Sequence, residues 1–139
     1  MNNSHILAVV LATVAEFVVG AIWYMPLFGK LWGEIHEFQK WDKKTQKEMQ
    51  GKMGPFYGVQ LFVTLITTIV LSKLMVMLPT YSPYSLAMMS WIGFVVPTQA
   101  SAVIFGGTDP KWIVKKIAVM AGGSLACLLV AAAILNFFQ

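Results

Sequence analysis

Few residues in this chain could do chemistry, and the first to consider is Glu16, set inside an otherwise apolar stretch over residues 6–28. At the four-residue spacing that puts helical side chains on one face, it falls in a row of Ser4, Ala8, Ala12, Glu16, Gly20 and Tyr24. The small members, Ala8, Ala12 and Gly20, let a neighbouring helix approach closely. Glu16 is therefore expected on a packed helix–helix face near the middle of a membrane span. An acid there costs roughly 2.5–3.5 kcal/mol on insertion scales, which a polar partner or a wet cavity would lower. Partners at compatible depth are Thr64, Thr67, Thr68, Ser90, Thr98, Gln99 and Ser124, with Lys73 as a candidate ion pair. Pro97 removes one backbone bond, so a kink beside Thr98 and Gln99 is expected to open a polar pocket toward Glu16. Two uses fit this set. A protonated Glu16 can hold two helices in register, or Glu16 can bind and release a proton or a cationic group. The second makes Glu16, Thr64, Thr67, Thr68, Pro97 and Gln99 the candidate transport site.

Other chemistry finds little support. His5 and His36 fall on opposite sides of the expected membrane, and Cys127 is the single cysteine, so no metal site is expected. No Gly-rich phosphate loop, Ser-His-Asp set or pair of acids on one helix is present. Neither an enzyme nor a cofactor is expected. The nine methionines read as apolar fillers. Ala118, Gly122 and Ala126 repeat the four-residue spacing near the C-terminus and are expected at a close helix contact.

The elements that must position Glu16 follow from composition. The chain is 58% hydrophobic and 12% charged over 139 residues. Soluble domains carry about 25% charged residues, so this composition belongs to a membrane protein of one domain. Four stretches reach the roughly 20 residues a span needs, at about 6–28, 56–78, 84–105 and 113–138. The first 5 residues hold no lysine or arginine, and the apolar run lacks an Ala-x-Ala cleavage site, which favours a retained helix over a signal peptide. The connector over 29–55 holds Lys30, Lys40, Lys43, Lys44, Lys47 and Lys52, and Lys111, Lys115 and Lys116 share its side. Only Lys73 lies near the other side. The positive-inside rule puts the lysine end in the cytoplasm and both termini outside. Trp23, Tyr24, Trp32 and Trp112 are expected as interface anchors at the lysine rim. Within the connector, Leu31, Ile35 and Phe38 suit an interfacial helical segment. Thr45 and Glu48 suit a capping box, and Pro55 suits the first turn of the second span.

The exit Trp23-Tyr24-x-Pro26-Leu27-Phe28-Gly29-Lys30 with Trp32, and Trp91-Ile92-Gly93-Phe94-Val95-x-Pro97 later, resemble a family of small four-helix prokaryotic membrane proteins catalogued as a domain of unknown function. The resemblance covers nearly the whole chain. It implies the fold and topology but brings no activity. Met25 stands where that family usually has serine, and one residue is missing before the Phe-Gly pair. A fold-level likeness to the small multidrug transporters rests on four helices, Ala15-Glu16 in the first and Trp91 in the third. In those transporters the glutamate exchanges protons for a cationic drug. Their first connector is short, whereas this one runs over 29–55, and their two-way insertion conflicts with so one-sided a lysine distribution.

The expected architecture is an all-α, four-helix integral membrane bundle in a prokaryotic plasma membrane, with an interfacial segment after the first helix. A parallel homo-oligomer follows from the single orientation. A net charge of +4 suits anionic lipid headgroups at the connector and gives no case for nucleic acid. Two functions are expected to compete: a transporter or pore subunit for a proton, small cation or small polar solute, and a non-catalytic scaffold or accessory subunit whose connector binds headgroups or a cytoplasmic partner.

Overall fold

The computed structural model describes residues 3–139. Helix α1 (Asn3–Ile22) is built from the aliphatic run around Glu16 and continues through a widened turn, Trp23–Leu27. Helix α2 (Gly29–Ile35) and one tight turn (Phe38–Lys40) lead to α3 (Lys43–Met77). Ser82 accepts a hydrogen bond from the Ser85 N–H and Pro83 opens α4 (Pro83–Ser90), a start that suits a residue with no amide hydrogen. A second widened turn, Trp91–Val95, passes into α5 (Val96–Phe105). A turn capped by Asp109 precedes α6 (Ile113–Phe137). No strand occurs among the described residues.

Four segments are long and apolar enough to cross a membrane: Asn3–Leu27, Lys43–Met77, Pro83–Phe105 and Pro110–Phe137. Their outward faces are apolar, with Leu7, Val10, Leu11, Val14 and Val18 of α1 all exposed. A water-soluble fold would not leave so continuous an apolar surface open.

α6 is the central helix, packed by α1 on one side and by α4 and α5 on another. The core gathers Ala8, Val9 and Ala12 of α1, Leu71 and Met75 of α3, Leu86 and Ala87 of α4, and Leu128, Ala131, Ala132 and Leu135 of α6. Its alanines are at most 2% exposed, because their short side chains let the helix axes draw together. The core thus sits toward the end where α1 begins and α6 finishes.

The structure departs from the sequence pattern in α3, which begins at Lys43 rather than near residue 56. Its cap is Asp42, whose carboxylate accepts from the Thr45 N–H at 3.2 Å, not Thr45 itself. Pro55 lies inside the helix rather than in its first turn. A proline ring crowds the preceding residue's Cβ, and Gly54 has none, which removes one of the clashes an interior proline makes. At 1.5 Å per residue its 35 residues reach about 52 Å, well beyond a hydrocarbon core of about 30 Å. Residues 51–63 are exposed throughout, and α3 is buried only in its second half, through Thr68, Leu71, Ser72 and Met75.

α6 also differs from the spacing pattern. Ala118 is exposed and Gly122 and Ala126 are half-buried, whereas the packed face carries Val119, Ala121, Gly123, Leu128, Ala131, Ala132 and Leu135. Two tryptophan indoles set this rotation. Trp23 Nε1 donates to the Val119 carbonyl at 2.9 Å, and Trp91 Nε1 donates to the Ala121 carbonyl at 2.8 Å. Each tryptophan opens one widened turn, and its own carbonyl accepts from a backbone N–H five residues on, at Phe28 and Val96. Pro26 lies within the first such turn and Pro97 just after the second. The wider turn relieves the clash a proline makes with the carbonyl four residues back.

Candidate functional site

Where α1 meets the buried half of α3, a seam of polar side chains runs through apolar surroundings. Glu16 is 3% exposed, Thr13 5%, Thr68 0% and Ser72 2%. Thr68 and Ser72 are four apart on α3, and Thr13 and Glu16 are three apart on α1, so each pair shares a face. The Thr68 hydroxyl donates a hydrogen bond to Glu16 Oε2. It also lies 2.9 Å from the Thr64 carbonyl of its own helix. Thr13 Oγ1 lies 3.2 Å from Thr68 Oγ1 and 2.8 Å from the Val9 carbonyl. On the far side of Glu16, the Cys127 thiol of α6 donates to the Glu16 backbone carbonyl at 3.4 Å. Toward the start of α1, Ser72 Oγ and His5 Nε2 are 2.8 Å apart.

Each hydroxyl carries one proton and has two acceptors in reach, so the cluster can serve Glu16 in either protonation state. With the carboxylate ionised, Thr68 donates to it and Thr13 donates to Thr68. With the carboxyl protonated, Glu16 donates to Thr68 Oγ1, Thr68 turns to the Thr64 carbonyl and Thr13 to the Val9 carbonyl. Two hydroxyl rotations connect these arrangements, and no heavy atom has to move. A buried polar group without a partner is costly in a membrane, and here Glu16 Oε2, Thr68 and Thr13 each keep a partner in both states.

The remaining candidates lie elsewhere. Thr64 contributes its carbonyl to the seam, while its hydroxyl donates to the Gln60 carbonyl at 2.8 Å. Thr67 is exposed and donates to Val63 at 3.2 Å. Pro97 and Thr98 are exposed, and Gln99 Oε1 accepts from Ser124 at 3.3 Å. The polar patch near the proline therefore faces α6 and not Glu16. Lys73 is exposed, and the ion pairs among the described residues are Lys40–Glu37 and Lys111–Asp109, so Glu16 has no cationic partner there. No three His, Cys, Asp or Glu side chains gather among the described residues.

Among the aromatic anchors, Trp23 turns inward. A Cβ on Gly122 would lie 2.7 Å from Trp23 Cζ2, and one on Gly123 2.9 Å from Trp23 Cδ1, so glycines are needed beneath the ring. Tyr24 meets Trp32 edge-on at 4.8 Å between ring centroids. Trp32 lies beneath Lys116, and Trp112 beneath Lys111 and Lys115. Thr13 and Ser72 escaped the sequence reading, and His5 was weighed there only as a metal ligand, although Thr13 lies three residues before Glu16 and that spacing marks a shared face as well as four does.

The family described as a protein of unknown function (DUF1761) matches residues 7–136, nearly the whole chain. The chain belongs to that family. No curated protein and no solved structure matches it.

Proposed function

We propose that this member of the DUF1761 family is a multi-pass transporter or pore subunit that moves protons or small cations, with Glu16 as the exchange site. The observation that carries this reading is the Glu16–Thr68–Thr13 chain, which offers a hydrogen-bond arrangement to a carboxylate and another to a carboxylic acid. A purely structural acid needs partners for one state only. The seam continues through Ser72 to His5, so the proton is proposed to reach Glu16 from the end where α1 begins. An i,i+4 step separates Thr68 from Ser72, about 5–6 Å between Cβ atoms, which one water can bridge. No enzymatic step is assigned.

The nine lysines of the 29–55 connector and the α5–α6 turn region argue for a cytoplasmic lysine end and outward termini, in the plasma membrane of a prokaryote. A parallel homo-oligomer completes this reading. The open half of α3 carries Gln60, whose amide donates to Thr64 Oγ1 at 3.3 Å on an exposed face. Amide and hydroxyl groups at membrane depth favour hydrogen bonds to a second helix, and a second copy can supply one.

A scaffold role is the second reading, favoured by the projecting first half of α3 with Lys43, Lys44, Lys47 and Lys52 exposed. That surface suits anionic headgroups or a cytoplasmic protein. Proton flux into proteoliposomes under an imposed gradient separates the two. The transporter reading expects flux in the parent protein and its loss in Glu16→Gln, which keeps shape but cannot ionise. Absence of flux, or equal flux in both proteins, would overturn it.

A further inference from the structure

At the lysine end a polar cleft of about 370 Å³ opens between the last turn of α2 and the α5–α6 turn. His36 and Glu37 line it from the α2 side, Gly107, Thr108 and Asp109 from the turn, and Lys116 from α6. Its backbone is unusual. Glu37, with φ 56°, is the only non-glycine residue in the left-handed region among the described residues, and Gly107 has φ 78°. Glu37 follows His36, the C-cap of α2, at the place where a left-handed residue commonly ends a helix, and its N–H donates to the Glu34 carbonyl at 3.2 Å.

The charges fall into two kinds. Glu37 and Asp109 are acidic, each touched from the outside by an exposed lysine, Lys40 at 2.9 Å and Lys111 at 3.6 Å. Lys116 has no carboxylate within ion-pair distance among the described residues, and its ammonium lies 5.8 Å from the centre of the Trp32 ring. The Thr108 hydroxyl is sealed from solvent without a hydrogen-bond partner.

We infer that this cleft binds the headgroup of a phospholipid carrying both a phosphate diester and a primary ammonium, as in phosphatidylethanolamine. The phosphate meets Lys116. The ammonium donates to Glu37 and Asp109. A quaternary ammonium cannot donate those bonds, and a glycerol headgroup donates only neutral ones and brings no positive charge to the two carboxylates. The lipid source follows from position, because Trp32 and Trp112 with their stacked lysines mark the rim of the spans, where headgroups lie. This inference does not depend on proton exchange at Glu16.

Native mass spectrometry of the detergent-solubilised full chain tests it, with titrations of phosphatidylethanolamine, phosphatidylcholine and phosphatidylglycerol. The expected result is about tenfold tighter binding of phosphatidylethanolamine than of either other lipid. Lys116→Met keeps the apolar stem on Trp32 and is expected to weaken phosphatidylethanolamine and phosphatidylcholine alike. Glu37→Gly suits the left-handed backbone and is expected to reduce phosphatidylethanolamine to the level of phosphatidylcholine. Asp109→Asn, which retains an oxygen for the turn, gives the same readout should the glycine variant fail to fold. Equal binding of the three lipids, a preference for phosphatidylglycerol, a folded Lys116→Met that binds as tightly as the parent, or folded Glu37 and Asp109 variants that keep the parent's preference would overturn the inference. So would glycerophosphoethanolamine binding as tightly as the intact lipid, which would point to a soluble ligand.

Discussion

At Glu16 the decisive neighbour is Thr68, the one side chain that donates to its carboxyl. Thr68→Val preserves volume but removes that hydroxyl, leaving a buried carboxyl short of a partner. The expected loss is about 1–3 kcal/mol in unfolding free energy, read by tryptophan fluorescence during denaturation in mixed detergent. Thr68→Ser retains the hydroxyl and is expected to cost about 1 kcal/mol, the value of one buried methyl group. Glu16 was legible in the sequence because an acid inside an aliphatic run is rare and expensive. Thr68 was legible only as one of three threonines, since Thr64, Thr67 and Thr68 share a depth and only rotation about α3 separates them. The structure turns Thr68 inward and leaves Thr67 exposed. Nothing in the local sequence fixes that angle, because α3 is apolar nearly all round over its second half.

The four spans were readable from length and aliphatic content, but the places where helices deform were not. Both widened turns begin at a tryptophan that reaches across to α6, a demand of tertiary packing that no local rule encodes. Gly122 exists for that contact. Gly122→Ala drives a methyl against the Trp23 ring and is expected to cost about 1–3 kcal/mol. Trp23→Leu should relieve the clash, so the double variant loses less than the sum of the single changes, a coupling that the same denaturation assay measures. The start of α3 was misplaced because Pro55 looked like a boundary, while the actual signal was Asp42. The Thr45 hydroxyl and amide bonds to Asp42 hold its carboxyl below the usual carboxylate range. A depressed folded pKa makes the cap's contribution fully present above about pH 4, the ordinary aspartate value, and lost as pH falls through the folded value. The protection of the Thr45 and Gln46 amides, taken relative to the intrinsic exchange rate at the same pH, is therefore expected to fall on acidification. In Asp42→Ala that protection should be low at every pH.

Over the whole molecule, small residues draw α1, α4 and α6 into a core at one end, while α3 splays away at the other. That asymmetry leaves Glu16 inside the packed half and the lysines around an open half. Charge distribution and the position of Glu16 made this arrangement partly legible. The splay was hidden, because the first half of α3 read as connector, with a short helix from Thr45 ended before Pro55. A second copy packed on the open half would give that half a role, and cross-linking between cysteines placed at Gln60 in two protomers is expected to trap a dimer in native membranes. Placement at Val18, on the opposite outward surface of α1, is expected to give none.

Reversible protonation of the Glu16 carboxyl is the claim on which the transport reading stands, and infrared difference spectroscopy of proteoliposomes reads it directly. A carboxylic-acid carbonyl band that comes and goes as bulk pH is cycled, shifts in D₂O and vanishes in Glu16→Gln is the expected result. A band that stays constant across the whole pH range and fails to exchange with D₂O would show a permanently locked acid, and Glu16 would then be a structural fastening between α1 and α3.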